Sequence, residues 1–366
     1  MKVKKNNFVK LSVLLIFLSI TVTGVANEKE NISFFMTSKS YSNILPVKPL
    51  IKDNWQSTPS NSASHAFTQN EIGVRSYWQN FSFTVSKRYD HFLYTNKDTA
   101  HVFYLDKKGL PLNTQNNYQL DLAIQHQRSN GVRLGYKFNE ANVTSEIRLG
   151  YWQSKASRES KLSGELLSDN QGSINGKALL SEYYSDKNFL RRTNNNDWNT
   201  EGEGVTLDVF FNWQTTQEIN ITAQLSDLYS NFSLNNSGYS TGQIDTDGTF
   251  VNSVGGIAYL PLYRGREVSK KHNFTLPKQV DVLTTYATEH VNYLGRYKKQ
   301  GDVDFYYLGV ELLGENSATK FFIDIENLTP EIDYQHKWFR ILFAMDDANI
   351  DKAMLINLAV SVNYQF

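Results

Sequence analysis

The chain is 366 residues long, 40% hydrophobic and 13% aromatic, with 37 Lys and Arg balanced by 37 Asp and Glu. That balance offers no global field for a nucleic acid or an anionic partner. The lack of cysteine removes disulfides, metal thiolates and thiol nucleophiles together. The 21 Tyr and 22 Phe are many for a soluble domain and suit a surface that meets a membrane interface.

At the start, Lys2, Lys4, Lys5 and Lys10 precede an apolar run from Leu11 to Val22 and the small residues Gly24-Val25-Ala26. This order predicts a secretory signal peptide over residues 1–26, cleaved after Ala26. The run is about a dozen residues against the roughly 20 of a spanning helix, so an anchor is the weaker reading. Past residue 26 no apolar run is long enough for such a helix. An exported chain of this kind is either free in the periplasm or a barrel, because only helices and closed barrels satisfy every backbone group in lipid. Residues 27–70 are polar, rich in Ser and Asn, and carry Pro46, Pro49 and Pro59. They read as a mostly irregular leader, outside the barrel or tucked into its mouth.

From Ile72 onward apolar residues recur with a period of two, the mark of a strand with one greasy face. Ile72, Val74 and Trp78 lead through a Gln79-Asn80 turn to Phe81, Phe83 and Val85. Further segments run from Tyr118 to Ile124, Val132 to Phe138, Ile147 to Tyr151, Val205 to Trp213 and Ile219 to Leu225. Others run from Tyr306 to Leu312, Phe321 to Ile325 and Phe339 to Phe343, with weaker matches at Val254–Leu260 and Val280–Tyr297. Residues 139–142, 300–302 and 314–317 carry turn signals. A single-chain barrel has an even strand number, so one more strand near Val268–Leu276 is needed. The expectation is an all-β, up-and-down transmembrane barrel over residues 71–366, of about 14 strands with 12 and 16 open. On this count residues 152–204 form a long outer loop and Tyr229–Gly248 another.

One stretch invites a catalytic reading. His126-Gln127-Arg128-Ser129-Asn130-Gly131 resembles the His-x-Ser-Asn-Gly stretch of outer-membrane phospholipase A, with one residue too many between His and Ser. Strand residues three apart point to opposite faces, so His126 would not reach the Ser129 hydroxyl as a general base. Ser129-Asn130-Gly131 is the more ordinary signal of a hairpin turn. The expectation is that the protein is not an enzyme. Asp245-Thr246-Asp247-Gly248 lacks the distal glutamate of a calcium loop and reads as a solvated turn. The scattered histidines offer no metal site, and no cofactor is implied. Lys270-Lys271-His272 and Arg191-Arg192 are solvated pairs or contacts for lipopolysaccharide phosphates.

The last thirteen residues alternate strictly, with Met354, Ile356, Leu358, Val360, Val362, Tyr364 and Phe366 on one face. Ending on an aromatic, this strand resembles the C-terminal signal strand of Gram-negative outer-membrane β-barrels, through Val360, Val362, Tyr364 and Phe366. The resemblance implies a place in the cell outer membrane, contact with its lipid and lipopolysaccharide, and recognition of that strand by the barrel-assembly machinery.

If the apolar set faces lipid, the alternate set faces the lumen. Its charged members are candidates for selecting small solutes: Arg75, Arg88, Arg133, Lys137 and Arg148 in the first half, Glu311, Asp324 and Glu326 in the last third. Two arrangements are open, a water-filled pore with a transverse field and a narrow lumen packed with salt bridges. Function is read in this order: a passive channel or uptake barrel for small solutes, a partner barrel of a surface or secretion assembly, and last a lipid-modifying enzyme.

Overall fold

The computed structural model describes residues 31–169, 174–185, 201–246, 249–251, 257–259 and 263–365. The predicted signal peptide, Phe366 and the Asp247-Gly248 pair lie outside the described residues. In chain order the strands are β1 (Asn31–Ser42), β2 (His65–Trp78), β3 (Phe81–Thr95), β4 (Asn117–Glu140), β5 (Val143–Ser168) and β6 (Ile174–Tyr184). Then come β7 (Glu201–Gln214), β8 (Ile219–Asp245), the short pair β9 (Thr249–Val251) and β10 (Ile257–Tyr259), β11 (Tyr263–Phe274) and β12 (Gln279–Tyr286). The chain finishes with β13 (Asn292–Gln300), β14 (Val303–Leu313), β15 (Ser317–Asp324), β16 (Pro330–His336), β17 (Phe339–Met345) and β18 (Leu355–Gln365). Helix α1 (Val47–Ile51) joins β1 to β2, and α2 (Lys97–Lys108) joins β3 to β4.

Every neighbour in the main sheet is antiparallel, and β18 pairs back onto β1 from Asn31↔Gln365 to Tyr41↔Leu355. The sheet is therefore a closed barrel of fourteen strands: β1 to β5, β7, β8 and β12 to β18. The number is the one expected, reached by a different set of strands. The supposed irregular leader supplies β1 and the start of β2, so residues 31–42 are barrel wall. Asn31 and Ser33 face the lumen with Phe35, Thr37 and Lys39, while Phe34 and Met36 face outward. Tyr118–Ile124 and Val132–Phe138 merge into the single strand β4, and Ser129-Asn130-Gly131 sits within it rather than in a turn. Residues 152–204 are not one long loop: β5 runs on to Ser168, β6 follows, and β7 begins at Glu201. The segment near Val268–Leu276 is a strand, β11, but it adds to the outer ribbon and not to the barrel circuit.

Short turns at 79–80, 141–142, 314–316 and 337–338 share one end with Asn31 and Gln365, which marks it as periplasmic. Exposed Trp78, Trp213, Tyr286, Tyr293, Trp338 and Tyr364 stand near that end as an aromatic girdle. Above it the outward face is apolar, with Ile72, Val85, Leu134, Leu149, Leu308, Ile323, Ile341 and Val362 exposed. At the other end β4, β5 and β8 reach 24, 26 and 27 residues, against the roughly 9–11 needed to cross a bilayer. The excess builds a sheet beyond the membrane, where β6 replaces β7 between β5 and β8, and β11 replaces β12 beside β8.

Val85, paired with Val74 and Val132 midway up the apolar band, tests this assignment. Val85→Arg should lower unfolding stability by roughly 2–4 kcal/mol, and Val85→Leu should change it little, both read by urea unfolding in lipid vesicles.

Candidate functional site

The inward face carries long charged and aromatic side chains that meet across the lumen. Arg88 on β3 donates to both carboxylate oxygens of Asp227 on β8 (2.9 and 2.5 Å) and pairs with Asp90 at 2.7 Å. Asp227 reaches that far because three residues of β8, 226–228, oppose the single Asp208 of β7. At the centre of this bulge Asp227 takes φ 53°, and its N–H donates to the Asp208 carboxylate at 2.9 Å. Arg133 on β4 bridges Glu71 on β2 and Asp208 on β7. Arg148 clasps Glu146 through two bonds of 2.7 and 2.5 Å, and Ser82 donates to the same carboxylate.

The opposite wall neutralises itself in the same way. Arg296 holds Asp281 at 2.8 and 2.5 Å and Glu331 at 2.7 Å, Lys298 joins Glu331 at 2.8 Å, and Arg340 holds Asp333 at 2.7 and 2.6 Å. The expected acidic sector is not what these residues build. Glu311 is buried at the periplasmic end, bound by Asn292 and near Lys320. Asp324 is buried at the outer end of β15 and caps the turn that follows through the N–H groups of Glu326 and Asn327. Glu326 lies in that turn, exposed, and not on the lumen wall. A transverse field therefore does not form from these three acids, because local pairing is cheaper than holding buried charge apart.

Between the two walls lie two cavities. A periplasm-facing vestibule of about 1080 Å³ is lined by Asn31, Tyr77 and Gln365 at its mouth and by Arg88 and Asp90 at its inner end. Arg75, Arg133, Lys137 and Arg148 also line it. An outer pocket of about 480 Å³ is lined by Tyr94, Ile124, Gln125, Glu159 and Phe274, and shares no lining residue with the vestibule. On β3 alone, Asp90 faces the vestibule, Phe92 comes next inward at 2% exposure, and Tyr94 faces the outer pocket. Phe92 belongs to an apolar cluster with Phe67, Phe305, Tyr307 and Phe322, and a second cluster joins Trp152, Phe232, Phe274 and Leu276. These side chains form a septum.

Trp152 is fully buried in that septum. Its indole N–H donates to Thr206 at 2.9 Å, and the guanidinium groups of Arg88 and Arg133 lie 5.9 and 5.5 Å from its ring centroid. Gly131, read from sequence as a turn residue, is where the ring lies: a Cβ there would come within 2.2 Å of the indole. Ser129 points inward and is buried, whereas His126 meets Tyr89 and His91 on the opposite face of β4. Beyond the membrane, His272 bonds Glu159 at 2.9 Å and holds its carboxyl below the usual 4.5.

The closed wall, its apolar band and its polar interior define a transmembrane β-barrel of the outer-membrane type. No family model and no curated protein matches the chain. Among solved structures it is similar to the toluene transporter TodX of P. putida, at 11% identity over 93% of this chain and 91% of that one, with a TM-score of 0.43. The toluene transporter TbuX of Ralstonia pickettii matches at 8% over 93% and 90%, TM-score 0.33. The outer membrane protease OmpT of Escherichia coli matches at 10% over 94% and 99%, TM-score 0.25. Likenesses this loose carry nothing about what passes, binds or reacts.

Arg88→Ala leaves Asp90 and Asp227 buried without their counter-charge, and should cost roughly 3–5 kcal/mol in unfolding. Adding Asp227→Asn to that variant should recover part of the loss, as a double-mutant cycle would show. For the half-buried His272–Glu159 pair, the depressed Glu159 carboxyl contributes stability above pH 4.5 that is lost as pH falls through its folded value. His272→Gln should move the Glu159 titration up towards 4.5 in an NMR pH series.

Proposed function

We propose that the protein is a gated passage barrel that takes up small solutes across the outer membrane. The observation that carries this reading is the pair of cavities with no shared lining residue, one at the periplasmic mouth and one beyond the apolar clusters of Phe92 and Trp152. A fourteen-strand wall leaves room for a solute path, and the septum is made of side chains, which move more readily than wall strands. Polar and charged groups line the inner vestibule, so a hydrated solute keeps hydrogen-bond partners through the inner half of the path. The sheet beyond the membrane favours a second reading, a barrel that presents β6, β8 and β11 to a partner at the cell surface.

The test is conductance in planar bilayers. The wild-type barrel should be nearly silent. Trp152→Ala, which removes the ring that Arg88 and Arg133 cover, should open steady conductance at a stability cost of about 3–5 kcal/mol. A folded variant that stays silent, together with a surface partner that binds the outer sheet, would replace the passage reading by the second one.

A further inference from the structure

Ten Lys and Arg residues and five Asp and Glu line the vestibule, and the carboxylates of Asp227, Glu331, Asp333 and Asp304, outside that lining, pair with Arg88, Lys298, Arg340 and Lys299. Four of its five arginines (Arg88, Arg133, Arg148 and Arg340) hold a carboxylate. Arg75 does not: among the described residues no carboxylate oxygen lies within 4.0 Å of it, and Arg133 and Arg148 act on it as like charges.

Arg75 is nevertheless held in place. Its Nε donates to Thr84 Oγ1 at 3.1 Å, one terminal nitrogen approaches the Tyr77 hydroxyl at 3.4 Å, and its guanidinium carbon stands 5.4 Å from the Phe35 ring centroid. Gly73 makes that last contact possible, since a Cβ there would come within 2.9 Å of the Phe35 ring and 2.6 Å of the Ser86 Cβ. Three side chains and a glycine thus orient a guanidinium whose second terminal nitrogen carries none of these bonds. A fork of N–H donors fixed in this way matches the two oxygens of a carboxylate or phosphate.

We propose that Arg75 anchors an oxyanion-binding site in the vestibule, which takes small organic carboxylates or phosphate monoesters. This rests on the reading of the lumen as a solute path and names the class of solute. Lys39, also in the vestibule lining, is a second cation with no carboxylate within 4.0 Å among the described residues. It pairs in register with Gln69, six residues along β2 from Arg75, or about 20 Å at a strand's rise. It is placed to meet the anion nearer the septum, before Arg75 does so near the mouth.

Binding is measured on the folded barrel in detergent micelles, which needs no open channel. Equilibrium dialysis with radiolabelled inorganic phosphate and with benzoate should show saturable binding of at least one probe to the wild type. Arg75→Gln should weaken it at least tenfold. Arg75→Lys, which keeps the charge but not the fork, should weaken it several-fold, as should Phe35→Leu. Heat-modifiable migration on gels verifies that each variant is folded, and Arg75→Lys decides the matter if Arg75→Gln does not fold. Binding of phosphate alone assigns phosphate esters, and binding of benzoate alone assigns carboxylates. Equal affinity in wild type and folded Arg75 variants, or no binding of either probe to wild type, overturns the site. Those results leave the passage reading to the Trp152→Ala conductance.

Discussion

The rest of the structure depends on the seam between β1 and β18. Until those two strands pair, fourteen antiparallel strands leave two edges whose N–H and C=O groups have no partner in lipid. Once they pair, each strand has neighbours on both sides, and away from the bulges each side chain is committed to lipid or lumen by its parity. The alternation of Phe34 and Met36 outward with Phe35 and Lys39 inward follows from the register of that seam.

Closure on fourteen strands also creates a problem of volume. Side chains on the wall of so wide a barrel do not fill it unless they are long and meet across it. This chain meets the demand with guanidinium struts and with rings laid over glycines. Gly131 lies under Trp152, and Gly204 under Phe232. The struts act as crosslinks between distant strands: Arg88 and Asp227 join β3 to β8, and Arg133 joins β2, β4 and β7. Such bonds specify an arrangement more than they stabilise it, because desolvation consumes most of the Coulomb gain. They make the septum a defined layer between two cavities.

Much of the wall is legible from the chain alone, because a half-buried strand must alternate and few other structures do. Residues of β2, β5, β7, β14 and β18 are found this way, along with the turns at 79–80 and 300–302. The signal fails where the two faces are not chemically opposite or where the strand is short. Ser38, Ser40 and Ser42 dilute the pattern in β1. In β16, Pro330 opens a strand of seven residues whose apolar face holds little more than Ile332 and Tyr334, between the inward acids Glu331 and Asp333. It also fails where a residue type has two uses. Asn130-Gly131 has the composition of a turn, yet the glycine serves a neighbouring indole. Arg75, Arg88, Arg133, Lys137 and Arg148 all line the vestibule, but nothing local marks Glu71, Asp90 and Asp227 as partners of that set.

Sequence by itself determined the class of wall, the face that each well-patterned residue shows to lipid, and the approximate strand number. These follow from neighbours two positions apart on one strand. Tertiary structure alone decided that Asp227 leaves the regular ladder to meet Arg88, that Trp152 is buried beneath Arg88 and Arg133, and that Arg75 has no carboxylate within 4.0 Å among the described residues. Those outcomes depend on distances across a closed barrel between residues as far apart as 139 positions. Such distances exist only after β1 and β18 have met.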